Sequence, residues 1–143
     1  MPSSLPATAT ERLARARVGR LATVTPVGRP HVVAVCFALV QGQIYTAVDG
    51  KPKATRSLKR LENVAATSRA SLLVDHYEDD WSRLWWVRVD GPARVLERGS
   101  EFAAAVDGLV EKYEQYRAER PEGPVIALTP ETWRSWPAIP SGA

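Results

Sequence analysis

Short apolar runs separated by turn-forming residues constrain this chain more than any other feature of its sequence. Six such runs, several of them alternating and rich in valine, predict β-strands: residues 20–25, 31–39, 43–48, 70–75, 85–96 and 124–129. The turn residues P-V-G-R at 26–29 lie between the first two runs, so these two strands are predicted to form a hairpin. The chain is therefore expected to build a mainly antiparallel sheet.

Three segments with helical spacing lie between these strands. The first helix is predicted over residues 10–18, with Thr10 as its capping residue and Gly19 as a stop signal. Apolar residues three and four apart predict two more helices, over about 54–67 and 101–116. The order helix, three strands, helix, two strands, helix, strand predicts an α+β, mainly β fold: a six-stranded antiparallel barrel with peripheral helices.

The length and composition suit one domain. A chain of 143 residues can bury a core without disulfides, and 45% hydrophobic and 24% charged residues are ordinary globular values. No repeat or internal linker interrupts the sequence. We expect a flexible N-terminus over residues 1–9, one folded domain over 10–136, and a C-terminal tail over 137–143.

Several classes of protein are disfavoured by the composition. The single cysteine, Cys36, allows no internal disulfide, and His31 and His76 lie too far apart for zinc-ligand spacing, so no metal site is expected. A net charge of +3 is too small to argue for nucleic-acid binding, and no apolar run approaches a membrane span. We expect a soluble, cytoplasmic protein with neither a nucleic-acid nor a membrane partner.

The strongest local signal for binding is the sequence K-P-K-A-T-R-S-L-K-R at residues 51–60, which we call the basic segment. It holds five basic residues and no acidic one at a predicted strand-to-helix junction. The free amides and dipole of a helix N-terminus favour an anion, and lysine, arginine and threonine side chains add donors. The segment could therefore hold a phosphate; the alternative is a solvated basic helix face.

The aromatic residues give a second signal. Trp81, Trp85 and Trp86 lie within six residues, and tryptophan can stack on a planar heterocycle, fill a core or cover a dimer interface. Trp85 and Trp86 are adjacent in a strand, so they face opposite ways and at least one belongs to the core or an interface. His76 and Tyr77 are candidate proton donors, with a structural or surface role as the alternative.

No catalytic nucleophile stands out. Cys36 lies within the apolar run V-A-V-C-F-A-L, where we expect a buried, inert thiol. The chain contains neither a G-x-G-x-x-G fingerprint nor a P-loop, so a Rossmann-type nucleotide site is disfavoured.

Three segments taken together carry a resemblance to a known family: residues 19–31, the basic segment, and residues 69–91, which contain R-A-S-L-L-V-D-H-Y-E-D-D-W-S-R-L-W-W-V-R-V-D-G. They resemble the pyridoxamine 5′-phosphate oxidase-like split-barrel superfamily, and within it the actinobacterial enzymes that use the deazaflavin coenzyme F420. The resemblance covers roughly residues 10–135. It implies a six-stranded split barrel that forms a homodimer with two cofactor sites at the interface.

The resemblance also implies which residues bind the cofactor. The phosphate is held by residues that follow the third strand, here Lys51, Lys53, Thr55 and Arg56. The planar ring is lined by the backbone of the second strand, here Val33, Ala34 and Val35, and is covered by Trp81 and Arg83, from the same or the other subunit.

The implied reaction is a hydride transfer between reduced F420 and a conjugated small-molecule acceptor such as an enone, a quinone or a tetrapyrrole. The proton would come from water, Tyr77 or His76. FMN is the alternative cofactor, since it also carries a ribityl phosphate, although only the deazaflavin has the acidic glutamyl tail that Lys59 and Arg60 could suit. A non-catalytic flavin or deazaflavin carrier is a further alternative. The chain lacks the C-terminal arginine-and-histidine region of true pyridoxamine phosphate oxidases, which disfavours that activity.

Overall fold

The computed structural model of the chain describes residues 5–48 and 58–140. The helices among these residues are α1 Ala7–Arg15, α2 Lys59–Thr67, α3 Ser100–Lys112 and α4 Glu114–Ala118, with a 3-10 helix at Trp81–Arg83. The strands are β1 Gly19–Val24, β2 Pro30–Val35, β3 Ala38–Val40, β4 Gln43–Ala47, β5 Arg69–His76, β6 Trp85–Leu96, β7 Val125–Leu128 and β8 Thr132–Trp136. Within the described ranges, no helix has the length and apolar character needed to cross a membrane.

The strands pair in the order β2-β1-β5-β6-β7-β4-β3, with β8 added on β6, and every ladder is antiparallel. The twelve-residue strand β6 pairs with three other strands, β5, β8 and β7, and so connects the two halves of this sheet. One of its edges pairs with β5, while the other pairs first with β8 over residues 86–90 and then with β7 over residues 93–96. The antiparallel sheet with peripheral helices is confirmed, but it has eight strands rather than six, and it is not closed.

The two additional strands have identifiable causes. The second predicted strand, residues 31–39, breaks at Cys36 and Phe37, where the hydroxyl of Tyr113 takes the place of a ladder partner. This hydroxyl accepts a hydrogen bond from the Phe37 N–H at 3.1 Å, and its single hydrogen is within reach of the Arg17 carbonyl at 2.9 Å and the Phe37 carbonyl at 3.1 Å. The other additional strand, β8, has the sequence T-W-R-S-W and pairs with the edge of β6 that β7 leaves open.

The helices also differ from their predicted bounds. Helix α1 begins at Ala7 after Pro6, without a side-chain cap, so Thr10 lies inside the helix and does not cap it. The third predicted helix divides at Tyr113 into α3 and α4. The reason is the extended backbone of Tyr113, whose side chain turns toward the break between β2 and β3.

Two apolar clusters fill the interior. The larger lies between α1, α2 and the β1, β5 and β6 strands and includes Leu13, Leu21, Phe37, Val64, Leu72 and Val89. The smaller lies under α3 and includes Tyr45, Val106, Leu109 and Tyr113. Burial of these side chains is the main stabilising contribution to the fold.

Polar contacts fix the helices to the sheet. Glu101 of α3 accepts a hydrogen bond from the Tyr45 hydroxyl at 2.8 Å and two from the Arg94 guanidinium at 2.9 and 2.8 Å. The bonds from Arg94 and then Tyr45 lower the pKa of Glu101 to about 2, while burial and the bond to Glu101 raise the pKa of Tyr45 to about 12. Similarly, Asn63 of α2 donates to the Thr23 hydroxyl on β1 at 3.0 Å.

Candidate functional site

The four residues predicted to hold a phosphate, Lys51, Lys53, Thr55 and Arg56, lie outside the described residues, which stop at Val48 and resume at Leu58. The flanks of this gap are described. Val48 is buried directly after β4, where its N–H donates to the Pro124 carbonyl at 2.9 Å. The fold therefore fixes the position of Val48, three residues before the basic segment begins.

The C-terminal ends of β2 and β4 lie side by side. The hydroxyl of Thr46 on β4 donates to the carbonyl of Cys36, the residue that follows β2, at 2.7 Å. This contact joins strands that lie far apart in the pairing order of the sheet. Val48, the last described residue before the gap, thus lies two positions from a residue that contacts the end of β2.

Strand β2 is the strand predicted to line a planar ring, and it lies at the end of the sheet. Within the described residues it pairs only with β1, so one edge of its backbone carries no ladder. The side chain of Val35 is buried and that of Val33 packs against the core, whereas Ala34 is exposed and Val32 is 63% exposed. An unpaired backbone edge and the small, exposed side chain of Ala34 are therefore what β2 offers to a ligand; its role in lining a ring is still a prediction from the sequence.

Cys36 is exposed, which makes the prediction of a buried thiol wrong. The alternation of β2 continues past its end: Val35 and Phe37 are buried, so Cys36 between them faces outward, on the same side as Val32 and Ala34.

The turn between β5 and β6 brings four of the predicted site residues together. The His76 Nε2 atom lies 2.5 Å from the Glu78 carboxylate, to which Arg83 donates at 3.2 Å. The Trp81 indole N–H donates to the Tyr77 hydroxyl at 3.3 Å. The hydrogen bond with His76, together with Arg83, lowers the pKa of Glu78. We call these five residues the hairpin cluster.

The hairpin cluster and the end of β2 lie at the same end of the sheet. Arg20 on β1 pairs with Ala34 of β2 on one side and with Leu73 of β5 on the other. Two strand spacings, roughly 10 Å, therefore separate β2 from β5. Since His76 follows Leu73 by three residues, the cluster projects from the end at which β2 finishes.

The outer face of the five strands β2, β1, β5, β6 and β8 brings Trp86 together with residues of neighbouring strands. Cross-strand partners place Trp86 of β6 between Asp75 of β5 and Trp136 of β8. Trp136 is 49% exposed, whereas Trp85, on the opposite face, packs against the core. The predicted division of Trp85 and Trp86 between two faces is thus confirmed. Strand β8 places Trp136 on this face, and the alternation in T-W-R-S-W is the sequence signal that could have predicted this strand.

The same face carries charged residues whose pairing limits their chemistry. Burial raises the pKa of Asp90, but hydrogen bonds from Ser71 at 2.6 Å and Arg88 at 3.0 Å outweigh it, so the pKa is lowered. A carboxylate held in this form is an acceptor and not a proton donor at neutral pH. In the part of the chain that is described, no three His, Cys, Asp or Glu side chains group in a way that could hold a metal ion.

Comparison with known proteins gives a family and a fold. The family model described as pyridoxamine 5′-phosphate oxidase matches residues 5–137. No match was found among curated protein sequences.

Three solved structures illustrate the likeness. A conserved hypothetical protein of Mycobacterium tuberculosis has a TM-score of 0.76 at 20% identity, covering 94% of this chain and 86% of its own. A heme binding protein of Mycobacterium smegmatis has a TM-score of 0.72 at 23% identity, covering 96% and 57%. HutZ, the heme storage protein of Vibrio cholerae, has a TM-score of 0.70 at 18% identity, covering 91% and 92%. At these identities the likeness shows the fold.

Proposed function

The chain belongs to the pyridoxamine 5′-phosphate oxidase family, and from that premise we propose that it is an F420-dependent oxidoreductase. It would transfer a hydride between the reduced deazaflavin and a conjugated small-molecule acceptor, such as an enone, a quinone or a tetrapyrrole. The branch of the family and the cofactor both rest on the sequence resemblance. FMN in the same site, with oxidase or reductase activity, is the alternative.

The meeting of β2 and β4 is the observation that carries this proposal. The contact between Thr46 and Cys36 joins the ends of β2 and β4, and the basic segment begins five residues after Thr46 in the sequence, which supports this proposal. A ribityl phosphate cofactor needs an anion site and, within the reach of a short polyol chain, a flat surface with hydrogen-bonding groups. The exposed Ala34 leaves room for a ring beside the backbone of Val33 and Val35.

In this proposal each group has a distinct task. Lys51, Lys53, Thr55 and Arg56 bind the phosphate, and the backbone of β2 orients the ring. The cofactor, when bound, supplies the hydride. Tyr77 can supply the proton, because its hydroxyl accepts a hydrogen bond from Trp81 and so keeps its own hydrogen for donation. His76, held by Glu78, is the other donor.

A homodimer would complete the site. The outer face described above exposes Val32, Trp136 and a row of small or charged side chains, and the hairpin cluster exposes Tyr77 and Trp81 by about two thirds. Exposed tryptophan and tyrosine beside a flat sheet face are typical of a protein interface. We propose that a second copy covers this face, so that Trp81 and Arg83 of one subunit lie over the ring bound by the other.

Cofactor titration tests the proposal. Purified protein is titrated with F420 and with FMN while tryptophan fluorescence is followed. We expect F420 to bind, and Lys53→Ala or Lys51→Ala to weaken binding by about 10- to 150-fold, the effect of losing a charge-assisted hydrogen bond. Arg98→Ala, an exposed cation after β6, is the control and should leave binding unchanged. No F420 binding below about 100 μM would refute the cofactor assignment.

Turnover separates an enzyme from a carrier. Reduced F420 is mixed with the protein and a panel of enones, quinones and biliverdin, and oxidation of the cofactor is followed by absorbance. Oxidation that depends on an acceptor supports the oxidoreductase. Stoichiometric binding without oxidation by any acceptor supports the non-catalytic carrier.

Heme binding is a second candidate, favoured by what the two neighbours from M. smegmatis and V. cholerae are described as binding. Of the two histidines, His31 has an enclosed Nδ1 atom, whereas the His76 side chain is 44% exposed and could approach an iron. Heme titration followed at the Soret band tests this candidate. A band that His76→Ala abolishes and His31→Ala leaves in place would favour heme over F420.

A further inference from the structure

A groove of about 410 Å³ runs between the C-terminal part of α1 and the ends of β5 and β6, on the side of the sheet that Trp85 faces. Its apolar wall is formed by Ala16, Val18 and Trp85, and its charged wall by three arginines of α1 and the residues that follow it. The groove lies on the opposite face of β6 from Trp86. Its size is within the range of small-molecule sites in proteins, about 300 to 1,000 Å³.

The guanidinium of Arg12 is held in place on this apolar wall. Its central carbon lies 4.6 Å from the centroid of the Trp85 ring, and the His76 ring stacks on the same indole at 6.2 Å. Trp85 is itself half-buried against the core, so the platform is fixed. A guanidinium that stacks through its flat face keeps its N–H edge free to make two parallel hydrogen bonds.

Every carboxylate in the groove is already engaged by another arginine. Glu11 pairs with Arg15 at 3.5 Å, and Asp75 pairs with Arg20 at 3.4 Å. Arg12, in contrast, makes no ion pair and no side-chain hydrogen bond with any residue in the ranges 5–48 and 58–140.

The third arginine is also occupied. Arg17 donates to the Lys112 carbonyl at 3.1 Å and stacks on Tyr113 at 4.7 Å. The groove is thus left with one half-buried, pre-oriented cation whose donors have no acceptor within the described part of the chain.

We propose that this groove binds a small organic molecule through an oxyanion, a carboxylate or a phosphate, which the Arg12 fork grips with two hydrogen bonds. The apolar body of the ligand packs along Val18 and the edge of Trp85. Arg12 matches this chemistry because its planar donors fit the two oxygens of such a group, whereas a lysine would offer only a point charge. This inference does not draw on the basic segment; it shares with the proposed function only His76, which lines the groove and stacks on Trp85.

The test compares three probes by ¹H–¹⁵N nuclear magnetic resonance of the full chain: phenyl phosphate, benzoate and benzyl alcohol. The Arg12 side-chain and Trp85 indole signals are followed, with Trp85→Phe used to assign the indole. We expect saturable shifts of both signals with the two anions and none with the alcohol. Inorganic phosphate tests whether the organic body of the ligand contributes to binding. If it binds as tightly as phenyl phosphate, the groove is a site for a free anion, and the proposal of an organic ligand is overturned.

Arginine variants test the role of Arg12. Arg12→Gln should weaken binding of the preferred anion by about 10- to 100-fold, and Arg12→Lys should restore only a minor part of the affinity. Arg98→Gln, which removes the same charge from an exposed position outside the groove, is the control and should change affinity less than about twofold. Equal weakening by Arg12→Gln and Arg98→Gln, or no saturation by about 10 mM anion, would overturn the proposal.

The stability of Arg12→Gln is measured alongside, because the stacking on Trp85 also fastens α1 to β6. A variant that stays folded, with chemical shifts unchanged outside the surroundings of residue 12 in the absence of ligand, yet no longer binds the anion, supports a binding role. A folded variant that binds as the parent does shows that Arg12 only stabilises the helix and refutes the site.

Discussion

Lys112 should destabilise this protein at neutral pH, and replacing it with methionine should make the fold more stable. Its Nζ atom is enclosed and has no hydrogen-bond partner among the described residues, and lies 4.0 Å from the centroid of the Phe37 ring. Burial, followed by repulsion from Arg17, lowers the pKa of Lys112 from 10.5 to about 8, although the Cys36 thiol opposes this shift.

The size of the effect follows from this pKa. A fall from 10.5 to about 8 corresponds to roughly 3 kcal/mol of unfavourable free energy for the charged form in the folded state. The contact of the ammonium with Phe37 offsets about 0.5 to 2 kcal/mol of this unfavourable free energy, and methionine keeps most of the apolar contacts of the lysine stem. We therefore expect Lys112→Met to raise the free energy of unfolding by about 1 to 2 kcal/mol at pH 7.

The pH dependence gives this prediction its sign. The unfolded chain keeps a proton on Lys112 up to about pH 10.5, whereas the folded chain releases it near pH 8, so the penalty is full below pH 8 and vanishes as the pH rises to about 10.5. Urea denaturation of parent and variant at pH 7 and pH 10 measures it. The advantage of Lys112→Met should shrink at pH 10. A variant less stable than the parent at pH 7, or an equal advantage at both pH values, would refute the reasoning.

Lys59→Met is the control for that experiment. Lys59 is 56% exposed and pairs with Glu62 at 3.7 Å on the surface of α2. Its replacement should change stability by less than about 0.5 kcal/mol at either pH.

Three further predictions concern contacts that fix the fold. Glu101→Gln should lower the free energy of unfolding by about 1 kcal/mol at pH 7, a value reduced by solvent around the partly exposed pair with Arg94. Because the pKa of Glu101 falls to about 2, the stabilities of parent and variant should converge between pH 5 and pH 2 in acid denaturation. Thr23→Val should cost about 1 to 3 kcal/mol in urea denaturation, since it leaves the buried Asn63 amide without its acceptor, whereas Thr23→Ser should be milder. Gly91→Ala should lower the midpoint of thermal unfolding sharply, since a Cβ there would lie 1.9 Å from a backbone carbonyl oxygen of the loop before β8; a shift under about 2 °C would contradict the close approach.

The sheet was predictable from the sequence because its signals are local. Alternation and turn residues located all six predicted strands, and the order of elements indicated an antiparallel sheet with helices around it. The break at Cys36 was not predictable, since it is caused by the hydroxyl of Tyr113, a residue 76 positions away from Phe37. Strand β8 was missed for the same reason: T-W-R-S-W becomes a strand by pairing with the free edge of β6.

The candidate site was predictable in part. The sequence singled out His76, Tyr77, Trp81 and Arg83, and the structure places them in one cluster, because the short connection between β5 and β6, with its 3-10 helix, keeps sequence neighbours close. The roles of Lys51, Lys53, Thr55 and Arg56 remain predictions from the sequence. The anion groove at Arg12 was not foreseen, since it requires a helix at the start of the chain to meet a tryptophan 73 residues later.

The arrangement of β6 has a consequence for how this protein is made. One edge of this strand pairs with β5, which has already been synthesised, but its other edge waits for residues 125–136 near the end of the chain. Until those residues leave the ribosome, a twelve-residue strand rich in valine and tryptophan carries an open edge that can pair with another nascent chain. Truncation shortly before β7 should therefore produce aggregates and not a smaller soluble fold, and the last strands to be synthesised act as the protein's own protection against misassembly.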